Sequence, residues 1–116
     1  MTGASNQRNA IQLAREVRLA RSVWARFWGL MGRGSLADGH GVWIRPCSSV
    51  HTFFMRFPID VIFLDRSNRV VKIVPAMKPW RTALGGRDAH SVLELNAGIA
   101  EGADLRTGDS LELAES

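Results

Sequence analysis

The most informative pattern lies between Cys47 and Asp65 (CSSVHTFFMRFPIDVIFLD), the longest apolar run of the chain. From His51 to Phe57, the residues His51, Phe53, Met55 and Phe57 alternate with Thr52, Phe54 and Arg56. That period of two predicts a strand. Pro58 cannot donate to a ladder, so it marks an edge, a bulge or a bend. Val61 to Leu64 is apolar on both sides, as a strand buried on both faces would be. Arg66 to Arg69 reads as a turn in which Asn68 tolerates the left-handed conformation. Val70 to Val74 returns, so residues 61–74 form a β-hairpin.

The same reading extends to either side. Met1 to Arg8 is polar and is expected to be a disordered tail, leaving residues 9–116 as one domain. Ala10 to Leu13 and Glu16 to Ala20 read as short strands, although Ile11, Leu13, Ala14 and Val17 keep a partial helical period. Ser22 can cap a helix over 22–32, in which Val23, Trp24, Phe27, Leu30 and Met31 share one apolar face and Gly32 ends it. Val42 to Ile44 is a strand closed by Pro46. Pro75 to Asp88 holds Pro79, Gly85 and Gly86 and reads as a loop. Ser91 to Leu95 and Leu111 to Leu113 are strands, with a short helix from Ala97 to about Gly102 between them. The expected fold is mainly β (α+β): a compact antiparallel sheet or partly closed barrel of six to seven short strands with one helix in the N-terminal half.

Composition adds bounds. The 116 residues suffice for one domain with its own core. One cysteine, Cys47, excludes an intramolecular disulfide and a multi-cysteine metal cage, and suits a reducing compartment. No run reaches the length of a membrane helix, and the first twenty residues lack the apolar core of an export signal. The expected location is the cytoplasm. The net charge of +4 hides a gradient: +5 over residues 1–35, +5 over 36–87 and −6 over 88–116. Part of the basic charge should therefore be neutralised within the fold.

Four blocks carry a family resemblance: GLMGRGSLADGHGVWI (29–44), HTFFMRFPIDVIFLD (51–65), VVKIV (70–74) and VLELNAG with TGDSLEL (92–98 and 107–113). In their order and spacing the chain resembles the DUF192 family, also called UPF0127, over about residues 17–113. The resemblance implies a small β-rich domain and supplies no reaction, ligand or catalytic residue. Many relatives carry an export signal that this chain lacks, so an extracytoplasmic role does not carry over.

Candidate chemistry centres on the same stretch. On a straight strand Cys47 and His51 stand about 13 Å apart, too far to share an ion whose bonds are about 2 Å unless Ser48-Ser49 makes a sharp turn. Nothing in the spacing selects His40 or His90 as further ligands, so no metal and no cofactor is expected. Arg56 sits among aromatics, where a lone charge is costly; Asp60 and Glu94 are its candidate partners. Trp80, in a loop with Lys78 and Arg81, suits a recognition patch. The residues expected to bind are His51, Arg56, Asp60, Trp80 and Arg81, in a non-enzymatic module for a small ligand, a peptide or a protein.

Two alternatives stand beside it. The first is a hydrolase in which His51 and Asp60 would be the orienting pair for Ser48, Ser49 or Cys47. No nucleophile elbow surrounds those candidates, and Asp60 has a simpler role as an acceptor of backbone N–H bonds. The second is a basic nucleic-acid-binding module, weakened by the lack of an aromatic–basic strand of the RNA-binding type. The sequence leaves the oligomeric state open.

Overall fold

A computed structural model describes residues 3–20, 36–53 and 55–114. Ten strands lie among them: β1 (Gly3–Asn6), β2 (Gln12–Ala14), β3 (Glu16–Ala20), β4 (His40–Ile44), β5 (Ser49–His51), β6 (Ile59–Leu64), β7 (Val70–Met77), β8 (Thr82–Leu84), β9 (Ser91–Asn96) and β10 (Leu111–Ala114). One helix among the described residues, α1 (Ile99–Gly102), follows β9. The helix expected over 22–32 lies outside the described residues.

The frame is a five-stranded sheet in the order β3-β4-β9-β6-β7. It is antiparallel except for β3 and β4, which run parallel. A three-stranded sheet, β10-β1-β2, and a two-stranded ribbon, β5-β8, complete the fold, and none of the three closes into a barrel. The protein is mainly β, as the alternation predicts.

Strand periodicity divides the core in two. On β6, Ile62 and Leu64 face one cluster with Trp43, Leu93, Leu95 and Leu111. Ile59, Val61 and Phe63 face the other, with Ile44, Val50, Phe57 and Ala83. The first cluster is covered by β1, β2, β10 and α1, and the second by the ribbon and the segment before β6. All six residues of β6 are buried, which fits its reading as a strand covered on both faces. Each large aliphatic or aromatic side chain there contributes about 2 kcal/mol by leaving water.

Three local expectations need correction. Gly3–Asn6 is a strand and not a tail, held between β10 and β2. Residues 52, 53 and 55–57 are not strand: among the described residues pairing stops at His51 and resumes at Ile59. Pro75 does not end β7, which runs on to Met77 with a register shift between Ile59 and Val61 of its partner. Beyond it, the region read as loop holds β8.

A buried polar cluster ties the first strand down. Asp109 accepts from Arg8 Nε at 2.7 Å, from Asn6 Nδ2 at 2.8 Å and from the Arg106 amide at 2.9 Å. The hydrogen bond from Arg8, helped by those of Arg106 and Asn6, holds the Asp109 carboxyl down at about 2, against an ordinary 3.8. A depressed carboxyl stabilises the fold above its ordinary value and stops doing so as pH falls through its folded value. Asp109→Asn should therefore flatten the acid limb of stability between pH 3.8 and about 2, at a cost of about 2 kcal/mol at neutral pH. Urea melts across that range check it, and an acid limb unchanged from wild type would refute the assignment.

Candidate functional site

The site begins with the end of pairing at His51. The next residue, Thr52, is fully buried and polar, so it must bond to something. It bonds to the segment between β7 and β8. Its hydroxyl donates to the Lys78 carbonyl at 2.6 Å and accepts from the Arg81 amide at 2.9 Å. Its backbone amide donates to the Arg81 carbonyl at 2.8 Å, and its carbonyl accepts from the Trp80 amide at 3.0 Å. Four bonds from one residue fix the course of Lys78 to Arg81.

Trp80 is held in an unusual place by that clamp. Its φ is +63°, a left-handed conformation that a bulky side chain seldom adopts. The indole remains 55% exposed and stacks on Phe53, itself 37% exposed, with ring centroids 5.8 Å apart. Phe53 in turn meets the His51 imidazole at 5.0 Å. Thus His51, Phe53 and Trp80 form one aromatic row at the protein surface. Backbone strain of this kind costs on the order of 1 kcal/mol and persists only where surrounding bonds enforce it.

Beside the row lies a cleft of about 190 Å³, lined by Ile44, Cys47, Ser49, Val50, His51, Thr82 and Leu84. Its lining is mostly apolar, and Leu84 at its rim is 70% exposed. Cys47 is half-buried and its thiol donates to the Ser49 carbonyl at 2.9 Å. A second cleft, about 290 Å³ and polar, is lined by Asp65, Arg66, Ser67, Arg87, Asp88, Ala89 and His90. Its mixed charges give it no single electrostatic preference.

Of the residues singled out from sequence, His51, Trp80 and Arg81 come together. Asp60 does not join them. It faces the first core, on the side of β6 that carries Ile62 and Leu64, whereas the ribbon bearing His51 covers the second. Its oxygens accept from the amides of Ala76 at 2.8 Å, Gly98 at 3.1 Å and Ala100 at 2.9 Å. These bonds fasten α1 and the far end of β7 to the central sheet. The expected Arg56–Asp60 pair is absent for the same reason, and Arg56 is exposed. Glu94 lies fully buried within β9. Among the described residues, no three His, Cys, Asp or Glu side chains are placed to share a metal ion. No helix among them is long and apolar enough to cross a membrane.

Thr52, Phe53 and Leu84 escaped the sequence reading as site residues. The one available signal was Thr52, a small hydroxyl interrupting an aromatic run.

Comparison with known proteins places the chain without assigning an activity. The DUF192 family model, described as uncharacterized ACR, COG1430, matches residues 4–113. A UPF0127 protein of Pyrococcus furiosus is 40% identical over 100 residues, covering 84% of this chain and 85% of that one. A Novosphingobium aromaticivorans protein of unknown function has a crystal structure similar at a TM-score of 0.74, with 28% identity, over 85% of this chain and 74% of that one. A Sinorhizobium meliloti protein, provisionally named a transcription regulator, matches at a TM-score of 0.74 and 26% identity, over 84% of this chain and 80% of that one. With a family match that spans nearly all of its described sheets, the chain belongs to the DUF192 family.

Proposed function

We propose that the protein is a non-enzymatic binding module whose recognition surface is the aromatic row with the adjoining apolar cleft. The observation that carries this reading is Trp80: an exposed indole, in a strained conformation, clamped by a buried threonine. Packing alone gives no reason to hold a large aromatic half in water at that cost. Rigid exposed aromatics supply contact area with little loss of side-chain freedom, which suits them to binding a small ligand, a peptide or a protein. The single free cysteine accords with a cytoplasmic setting. A hydrolase would need His51 and Asp60 to converge, and Asp60 is engaged with backbone amides elsewhere.

Trp80→Gly separates the two roles of this residue. Glycine adopts positive φ freely, so the variant should be as stable as wild type or up to about 1 kcal/mol more stable. It should nonetheless lose binding. In an amide-resolved NMR screen of fragments and short peptides, hits on the wild type should shift His51, Phe53 and Leu84, and those shifts should vanish in the variant. Hits that map to the Arg66–His90 cleft, or that survive the substitution, would defeat the proposal.

A nucleic-acid-binding module is the second reading. It draws on Lys78 and Arg81 beside an exposed stacking surface, and on the name given to the Sinorhizobium meliloti protein. Strong retention on heparin that collapses with added salt would favour it.

A further inference from the structure

The ribbon beside Trp80 has an open edge. Strand β8 pairs with β5 alone and has no second strand neighbour among the described residues. The register is Ser49↔Leu84, Val50↔Ala83 and His51↔Thr82. At its two ends, the Thr52 amide donates to the Arg81 carbonyl and the Gly85 amide to the Ser48 carbonyl, each at 2.8 Å. Bonded pairs alternate along an antiparallel ladder. Val50 and Ala83 are therefore the bonded pair in the middle, and the backbone groups of Thr82 and Leu84 turn outward. The Leu84 carbonyl accepts from Lys72 Nζ at 2.7 Å.

That edge is the template an added strand requires, and exposed strand edges are ordinarily blocked. Among the described residues the block here is one lysine, Lys72, which disfavours a basic strand and attracts an acidic one. Its surroundings have the same sign. Residues 39–59 and 66–87, which supply β4, β5, β7 and β8, carry eight Arg and Lys and no Asp or Glu. Apolar contacts are available next to the edge: Leu84, Trp80 and the cleft that Leu84 and Thr82 help to line.

We propose that β8 accepts an extended acidic peptide of a partner protein as a further strand, with aliphatic side chains on Leu84 and Trp80 and carboxylates on Lys72 and Arg81. The proposal rests on the binding-module reading and adds its mode and its partner chemistry. Main-chain bonds to Thr82 and Leu84 give affinity, and alternate side chains give selectivity. A single-stranded nucleic acid shares the charge preference but has no use for outward carbonyls, so the peptide is favoured.

The test selects short random peptides on the immobilised protein and follows the enriched ones by amide NMR and hydrogen exchange. Enriched sequences should alternate aliphatic and acidic residues. On binding, the Thr82 and Leu84 amides should become protected from exchange. Thr82→Pro removes an outward N–H and leaves the bonds to β5 intact. It should weaken the peptide at least about tenfold, whereas Thr82→Ala should not. If the proline variant fails to fold, protection of the two amides in the wild type still decides. Peptides that shift Trp80 and Phe53 but leave Thr82 and Leu84 unprotected would overturn strand addition and leave the binding surface standing. No enrichment of acidic peptides, with fragments still binding the cleft, would overturn the partner chemistry alone. Absence of both would remove the proposed function as well. Preferential binding of oligothymidylate would replace the peptide by a nucleic acid.

Discussion

Asp60→Asn should destabilise the fold by about 3 kcal/mol, although the substitution is nearly isosteric and conserves one oxygen. The carboxylate accepts three backbone N–H bonds from two separate segments. In the asparagine, one oxygen still serves one direction, but the amide nitrogen then opposes donors of its own kind. Charge-assisted acceptance is lost as well. In a domain whose whole stability is on the order of 10 kcal/mol, the midpoint of melting should fall by about 12 °C. Asp60→Ala should be at least as damaging, since it strands all three amides. The Gly98 and Ala100 amides should exchange much faster in either variant, because α1 loses its fastening. A loss under about 1 kcal/mol would mean that the carboxylate is not the anchor described, and would reopen its use in chemistry.

Gly85→Ala is the second large effect, expected at about 3 kcal/mol from overpacking. A Cβ on Gly85 would collide with the Phe63 ring and stand 2.5 Å from the Ala89 Cβ. Phe63 is fully buried in the central sheet and cannot swing away. The ribbon would have to lift off the sheet, loosening β8 and the cleft together. Its neighbour Gly86 makes the contrast: it has open space around it, and its φ of +92° alone argues for glycine. Gly86→Ala should cost only about 1 kcal/mol. Urea unfolding of the two variants side by side checks the ranking. Equal losses would show that space at position 85 is not what constrains it.

These two positions also show how far the sequence could be read. Gly85-Gly86 looks like simple loop punctuation, yet one glycine answers to a distant phenylalanine and the other to its own backbone. The hairpin of β6 and β7, strands β4, β9 and β10 and the helix α1 were legible because their patterns are local: alternation, turn residues and a run apolar on both faces. Strand β1 was not. Ser5 and Asn6 show no strand propensity, and their order comes from pairing with Glu112 and Leu111 at the other end of the chain. The parallel pairing of β3 with β4 is likewise a long-range fact.

At the candidate site, Trp80 and Arg81 were singled out by type and context and His51 by its place in the central stretch, and the fold brings the three together. Arg56 misled, because the strand predicted through it ends at His51 and Arg56 is exposed beyond it. Asp60 was expected at the site and is instead a backbone acceptor, the simpler role weighed for it; which amides it holds depends on residues up to forty positions away.

The pairing of β1 with β10 bears on how the protein comes to be made. Gly3 lies opposite Ala114, so β1 completes its sheet only once β10 has been made. Before β10 is in place, β1 has only β2 beside it, with Ala4 opposite Ala14 and Ser5 opposite Gln12, and the first core lacks Leu111. Closing that sheet joins groups 101 positions apart, and the Arg8–Asp109 contact is its latch.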